Sequence, residues 1–203
     1  MRAKALDPSL DRNKILPRID PAGIARARQD ELQKRQDMQA KFEQAVGSIE
    51  RLPARAFPQL PAAVAAALDA RKCQVPQPAE RNGPRNVIRG EFFAKGESGW
   101  AVLCAVNGSA SLLVFRNDRG THPDTLAAVE EKTHLQGLDG DKIGYSREIA
   151  PASPAFMLRH YRAYGGPAPP PLDHQGIDDA FLGKASVTWY YYQGKWRCLQ
   201  GAD

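Results

Sequence analysis

The chain has 203 residues, with 28 Lys and Arg against 23 Asp and Glu, which gives a net charge of +5. This length suits one domain with an appendage or two small units. No run of 18 apolar residues occurs, so no transmembrane helix is expected, and no signal-peptide pattern is visible. Residues 1–72 hold 14 basic and 9 acidic residues, whereas residues 73–203 hold 14 of each. The basic excess therefore belongs to the N-terminal third.

The N-terminal third has the composition of helices joined by proline-rich breaks. Residues 1–19 are polar and interrupted by proline, and we expect them to form a flexible arm. Asp20 and Pro21 suit the N-cap and the first position of a long helix, whose thin apolar stripe predicts that most of its surface is solvated. A second, alanine-rich helix is predicted over residues 61–72. We therefore assign residues 20–72 to a helical N-terminal region.

Residues 73–203 are expected to form a mainly antiparallel β domain. Its central hairpin has Asn107-Gly108 as a two-residue turn, and side-chain alternation places apolar residues on both of its faces. That hairpin must therefore be covered on both sides. A second hairpin is predicted at the C-terminus, with its turn at Gln193-Gly194. The predicted fold class is α+β, an antiparallel sheet domain with an N-terminal helical extension.

The C-terminal hairpin is predicted to have two different faces. The apolar face holds Val187, Trp189, Tyr191, Trp196 and Cys198. The opposite face, which we consider a candidate partner-binding surface, holds Tyr190, Tyr192, Lys195 and Arg197. Aromatic and cationic side chains of this kind can stack on a ligand or partner. The alternative is ordinary cross-strand pairing.

Three cysteines are present, and no C-x-x-C motif is, so neither a zinc ribbon nor a thioredoxin-type site is expected. Cys73 follows the second predicted helix, and Cys104 lies in the covered strand of the central hairpin, opposite Ser111. A structural disulfide between Cys73 and Cys104 would join helix to sheet. Cys198 would then be the unpaired cysteine, buried beside Trp196 as a small apolar residue. The alternative is that all three cysteines are reduced and packed. A catalytic thiol at Cys104 is not expected, because apolar faces surround it.

The segment "DHQGIDD" is the densest group of metal-ligand side chains in the chain. Its candidate ligands are Asp173, His174, Asp178 and Asp179. Imidazole and carboxylate groups in one loop can hold a divalent metal, which would activate water in a hydrolase. The alternative is a polar loop in which an aspartate caps a short turn. No catalytic residue and no other cofactor is predicted.

Several short segments between residues 70 and 203 together resemble a group of uncharacterised bacterial proteins that are often exported. They are "CQVPQ" (73–77), "NVIRGEFF" (86–93), "GWAVLC" (99–104), "LLVF" (112–115), "DHQGI" (173–177), "FLGKAS" (181–186) and "GKWRCLQGAD" (194–203). The resemblance implies a periplasmic or secreted location and favours the Cys73–Cys104 disulfide. A cytoplasmic location is the alternative.

Three functions are consistent with these features. The first is a non-catalytic binding module that acts in the cell envelope or outside the cytoplasm on a protein or glycan partner. The second is a metal-dependent hydrolase that uses residues 173–179. The third is a binder of anionic polymers through the basic N-terminal helix, although the acidic residues interleaved there argue against nucleic acid. We favour the first, because no motif for a reaction is recognisable.

Overall fold

The computed structural model describes residues 20–202 of the chain. Its backbone divides into two compact units, one that ends at Ala40 and one that begins at Lys41. The described part of the first unit is the beginning of a long helix, α1 (Pro21–Gly47). The predicted flexible arm, residues 1–19, lies outside the described residues. Between residues 20 and 202, no helix has both the length and the apolar character needed to cross a bilayer.

Helix α1 is exposed along most of its length, as its thin apolar stripe predicts. Asp20 caps its first turn, since the Asp20 side chain accepts a hydrogen bond from the backbone N–H of Ala22 at 3.1 Å. Large apolar side chains at Ile24, Leu32 and Met38 are exposed. The helix carries five basic and four acidic residues, so the basic excess of the N-terminal third is not concentrated on it.

Beyond the end of α1, the described part of the second unit contains two short α-helices and twelve strands. In chain order after α1, they are β1 (Arg51–Leu52), α2 (Ala62–Ala70), β2 (Val75–Pro76), β3 (Val87–Ala94), β4 (Glu97–Val106), β5 (Ser109–Phe115), β6 (Asp124–Glu130), β7 (Leu135–Gly137), β8 (Ile143–Tyr145), β9 (Arg147–Ala152), α3 (Pro154–Tyr164), β10 (Gly176–Phe181), β11 (Ala185–Tyr192) and β12 (Lys195–Gln200). Sheet A has the order β3-β4-β5-β6, and sheet B has the order β12-β11-β10-β9. All pairings in both sheets are antiparallel, which confirms the predicted α+β class.

Sheets A and B pack face to face around an apolar core. From sheet A this core takes Ala101, Leu103, Leu112 and Val114, and from sheet B it takes Ile149 and Ile177. Helix α2 covers the outer face of sheet A through residues such as Val64 and Leu68. Helix α3 covers the outer face of sheet B through Met157. The layers are therefore helix, sheet, sheet and helix.

The register of both predicted hairpins is confirmed. Val106 pairs with Ser109 around the Asn107-Gly108 turn, and both turn residues have the positive φ that such a turn requires. Both faces of β4 and β5 are buried, one under α2 and one under sheet B. In the C-terminal hairpin, Trp189 pairs with Cys198 as predicted.

Two residues of the C-terminal hairpin differ from the prediction, and each has a structural reason. Tyr190 was predicted on an exposed face, which is wrong: helix α3 lies over that face, and Tyr190 is fully buried. Cys198 was predicted to be buried beside Trp196, which is also wrong, because β12 is an edge strand and leaves Cys198 exposed. Alternation within a hairpin does not reveal which faces the rest of the chain will cover.

The predicted disulfide between Cys73 and Cys104 is confirmed, with the two Cα atoms 5.2 Å apart. Helix α2 ends in a Schellman motif, in which the N–H of Cys73 donates to Leu68 O at 3.0 Å and the N–H of Lys72 donates to Asp69 O at 2.8 Å. Lys72 takes the left-handed conformation that the motif needs, with φ of 56°. This reversal of the chain positions Cys73 against strand β4.

Candidate functional site

A cleft of about 280 Å³ opens where β6 of sheet A meets β9, β10 and β11 of sheet B. We call it the Arg147 cleft. Most of its lining is apolar and comes from Ala127, Val129, Phe181, Val187 and Trp189. The polar residues in its lining are His134, Arg147, Asp179 and Ser186. A concave apolar surface with a few polar groups is the usual character of a small-molecule site in proteins.

The base of the Arg147 cleft is a buried ion pair. Arg147 donates from Nε to Asp179 Oδ1 and from Nη2 to Asp179 Oδ2, both at 2.8 Å. The side chain of Arg147 is 1% exposed and that of Asp179 is 6% exposed. Burial opposes the charge on Arg147, but the hydrogen bonds and charge of Asp179 outweigh it and raise the pKa of Arg147. The pair therefore stays charged and neutralises itself inside the protein.

The remaining contacts of this pair join sheets A and B. Arg147 also donates to Ala110 O and Ala127 O, both at 3.2 Å and both in sheet A. From sheet B, Trp189 Nε1 donates to Asp179 Oδ2 at 3.3 Å. One side chain of β9 thus holds two strands of the opposite sheet, and the indole of Trp189 is fixed at the wall of the cleft.

Ala127 sits at an irregularity of strand β6 beside the cleft. The pairing of β5 with β6 shifts register between Ala110 and Leu112, and Ala127 has φ of 47°, a conformation that alanine rarely adopts. The Arg147 hydrogen bond to the Ala127 carbonyl stabilises this conformation. A strained backbone conformation of this kind persists only where the surrounding structure enforces it. Such conformations are concentrated at functional sites in proteins.

His134 supplies a hydrogen-bond acceptor to the cleft. The hydroxyl of Thr133 donates its single proton to Glu130 O at 2.7 Å and lies 3.2 Å from Nδ1 of His134. While the Thr133 hydroxyl donates to Glu130 O, Nδ1 of the neutral ring is the donor to Thr133 Oγ1. Nε2 is then unprotonated and has no hydrogen-bond partner among residues 20–202. It is not a buried atom.

Burial and the positive charge of Arg147 lower the pKa of His134 to about 4, against the opposing effect of Asp179. Between pH 6.5 and 4 the unfolded chain therefore binds a proton that the folded protein does not, so stability falls as the pH falls through this window. With allowance for solvent screening, we expect a loss of about 1–3 kcal/mol in the free energy of unfolding. Urea unfolding of the His134→Gln variant at several pH values should lack this loss. His122→Gln, at an exposed histidine, should keep it, and an unchanged pH dependence in His134→Gln would contradict the assignment.

The four candidate metal ligands do not converge. Residues 176–181 form strand β10, so Asp178 faces α3 and Asp179 faces sheet A. Asp173 is exposed, and both ring nitrogens of His174 face backbone carbonyls, Gln175 O at 2.9 Å and Tyr191 O at 3.0 Å. Within residues 20–202, no three ligand-type side chains form a group that could hold a metal ion. The spacing in sequence suggested a loop, whereas the strand separates the carboxylates.

Of the predicted partner-binding surface, Tyr192 is half-buried and Lys195 and Arg197 are exposed. Tyr190 is removed from it because its ring stacks on His174 with the ring centroids 4.3 Å apart. Its hydroxyl accepts from the Asp173 N–H and lies 3.1 Å from Pro171 O. Tyr190 therefore anchors the proline-rich connector that leads into β10. The role of the other three residues stays a prediction.

The Arg147 cleft was not predicted, although the amino-acid sequence contains a signal for it. Arg147 shares a strand face with Ile149, and Asp179 shares one with Ile177. A charged residue on an otherwise apolar strand face, together with a carboxylate at the matching place in another strand, indicates a buried pair. No comparable signal in the sequence places His134 beside them, because the intervening strands β7 and β8 are only three residues long.

The chain matches no family model, and neither a curated protein sequence nor a solved structure matches it.

Proposed function

We propose that the protein is a non-catalytic binding module and that the Arg147 cleft is its binding site. One observation carries this proposal: the cleft is apolar and pre-formed, and its two charged groups are bound to each other. A ligand therefore enters without having to pair a buried charge, which removes one of the main costs of binding. The cleft provides an apolar surface and one unprotonated nitrogen, that of His134, rather than a reacting group.

The arrangement of the polar groups supports binding over catalysis. Asp179 accepts from Arg147 and from Trp189, so its carboxylate is occupied by structural partners. A general base has to lie within hydrogen-bond reach of the proton that it removes, and a nucleophile needs such a base beside it. Among the described residues that line the cleft, His134 is the only base with an unoccupied nitrogen, and no cysteine is present.

The disulfide supports a site of action outside the reducing cytoplasm. Disulfides persist in oxidising compartments and are rare where thiols are kept reduced. The Cys73–Cys104 bond and the resemblance to exported bacterial proteins both favour the periplasm or the extracellular space. We propose that location for the binding module.

A variant that blocks the cleft tests the proposal. Ala185 lines the mouth of the cleft and is exposed, so Ala185→Trp should fill the opening with little effect on stability. We expect uncharged ring compounds (toluene, cyclohexanol and p-cresol) to shift the amide signals of Val129 and the indole N–H signal of Trp189 in ¹H–¹⁵N NMR spectra. In Ala185→Trp, these shifts should fall by about tenfold or more at the same ligand concentration, since the added ring removes the contact area.

The matched control is Ala150→Trp, the same substitution at an exposed position of β9 that does not line the cleft. It should bind the three compounds as the unchanged protein does. Absence of shifts at Val129 and Trp189 with every compound would refute the cleft as a binding site, as would equal shifts in Ala185→Trp and Ala150→Trp.

A further inference from the structure

We infer that the Arg147 cleft selects an uncharged, single-ring aromatic molecule that carries one hydroxyl or N–H donor. This inference rests on the proposed binding function and adds the chemical class of the ligand. Four features of the cleft carry it: its volume, its aromatic lining, its internally paired charges and the unprotonated nitrogen of His134.

The volume limits the size of the ligand. Clefts that hold drug-sized molecules usually measure about 300–1,000 Å³, and an apolar cavity of about 150 Å³ holds benzene. At about 280 Å³, the Arg147 cleft lies between these cases and suits one ring with a substituent. Rings of Phe181 and Trp189 line it, and aromatic rings pack on such surfaces in offset or edge-to-face contacts.

The charges argue for an uncharged ligand. Both carboxylate oxygens of Asp179 are occupied, and Arg147 donates four hydrogen bonds to Asp179 and two carbonyls. Among the residues that line the cleft, Arg147 and Asp179 are already paired with each other, so a charged ligand would lose its hydration without gaining an unpaired counter-charge from the lining. The field at His134 also disfavours a cation, because the charge of Arg147 affects that ring more than the charge of Asp179 does.

The single recognition element is Nε2 of His134. In the tautomer that donates from Nδ1 to Thr133 Oγ1, Nε2 presents a lone pair and accepts from a hydroxyl or N–H of the ligand. A ligand without a donor makes no hydrogen bond to this nitrogen. An anionic ligand brings an acceptor against it. The His134 ring therefore discriminates between aromatic ligands that differ only in whether they carry a donor, no polar group or a negative charge.

The experiment compares p-cresol, toluene and p-toluate at pH 7, with dissociation constants measured by NMR titration. We expect p-cresol to bind about 3- to 10-fold more tightly than toluene, the range of one net hydrogen bond, and p-toluate to bind more weakly than both. His134→Phe should remove the advantage of p-cresol over toluene. His122→Phe should preserve it, because His122 has the same kind of Thr121 neighbour but is exposed and does not line the cleft.

A second measurement needs no variant. In the unchanged protein with ¹⁵N-labelled histidine, p-cresol should move the Nε2 signal of His134 and toluene should leave it nearly in place. Equal affinity for p-cresol and toluene, or tightest binding of p-toluate, overturns the ligand class while the binding function stands. Failure of all three compounds to perturb the cleft overturns the binding function itself.

Discussion

Arg147→Met is expected to lower the free energy of unfolding by about 3–5 kcal/mol, the largest effect of any single substitution proposed for this protein. Methionine has a similar length but donates no hydrogen bonds. The carboxylate of Asp179, 6% exposed, then keeps only the N–H of Trp189 as a partner. The carbonyls of Ala110 and Ala127 also lose their donor. Urea unfolding at pH 7, followed by tryptophan fluorescence, measures the change.

A second variant separates the cost of an unpaired charge from the loss of packing. Arg147→Met combined with Asp179→Leu removes both charges, and apolar replacement of a whole buried pair is often close to neutral. We therefore expect the double variant to regain at least about half of the stability lost by Arg147→Met alone. A single variant that loses less than about 1 kcal/mol, the usual value of an exposed pair, would show that the pair is not desolvated in solution.

These two variants should differ in stability but show the same change in ligand binding. Arg147→Met removes the hydrogen bond to the Ala127 carbonyl that stabilises the positive φ of Ala127. The β6 wall of the cleft should relax, and the affinity for uncharged rings should fall even under conditions where the variant is folded. The double variant should show the same fall, because it also lacks the donor to Ala127. The ion pair thus affects stability through its charges and the cleft through one hydrogen bond.

Turn residues and side-chain alternation were sufficient to predict the two hairpins and the disulfide. The Asn107-Gly108 turn sets the register of β4 and β5, and the register sets which face carries Cys104. These relations involve residues close together in the chain, so the sequence contains them directly. The same reasoning correctly required a cover on both faces of β4, although it did not identify sheet B as one of the two covers.

The candidate site was beyond this reasoning because it depends on contacts between distant segments. Arg147 binds Asp179, 32 residues later, and Ala110, 37 residues earlier. The packing of α3 over Tyr190 is of the same kind and removed one residue from the predicted surface. Asp178 and Asp179 were counted together because they are adjacent in sequence, yet alternation in β10 sends them to opposite faces. Knowing that residues 176–181 form a strand would have separated them.

Loss of the Cys73–Cys104 disulfide is expected to cost about 3–4 kcal/mol in the free energy of unfolding. The bond closes a segment of 31 residues, and this is the chain-entropy value for a loop of that length. Cys73→Ala with Cys104→Ala removes the cross-link and leaves two small apolar groups between α2 and sheet A. Thermal unfolding of this variant and of the unchanged protein, with and without dithiothreitol, gives the difference. Cys198→Ala should unfold as the unchanged protein does in both conditions, because Cys198 is exposed and unpaired.

Treatment with dithiothreitol distinguishes the effect of losing the disulfide bond from the effect of replacing the two cysteine side chains. It should lower the melting temperature of the unchanged protein and leave that of the double alanine variant in place. A net stability of about 5–15 kcal/mol is normal for a domain, so a loss of this size removes a substantial part of it. The protein would then unfold far more often in a reducing compartment than in an oxidising one, which is the physical reason for proposing a location outside the cytoplasm. Alkylation of Cys73 and Cys104 in protein that has never met a reductant, detected by mass spectrometry, would contradict both the bond and that placement.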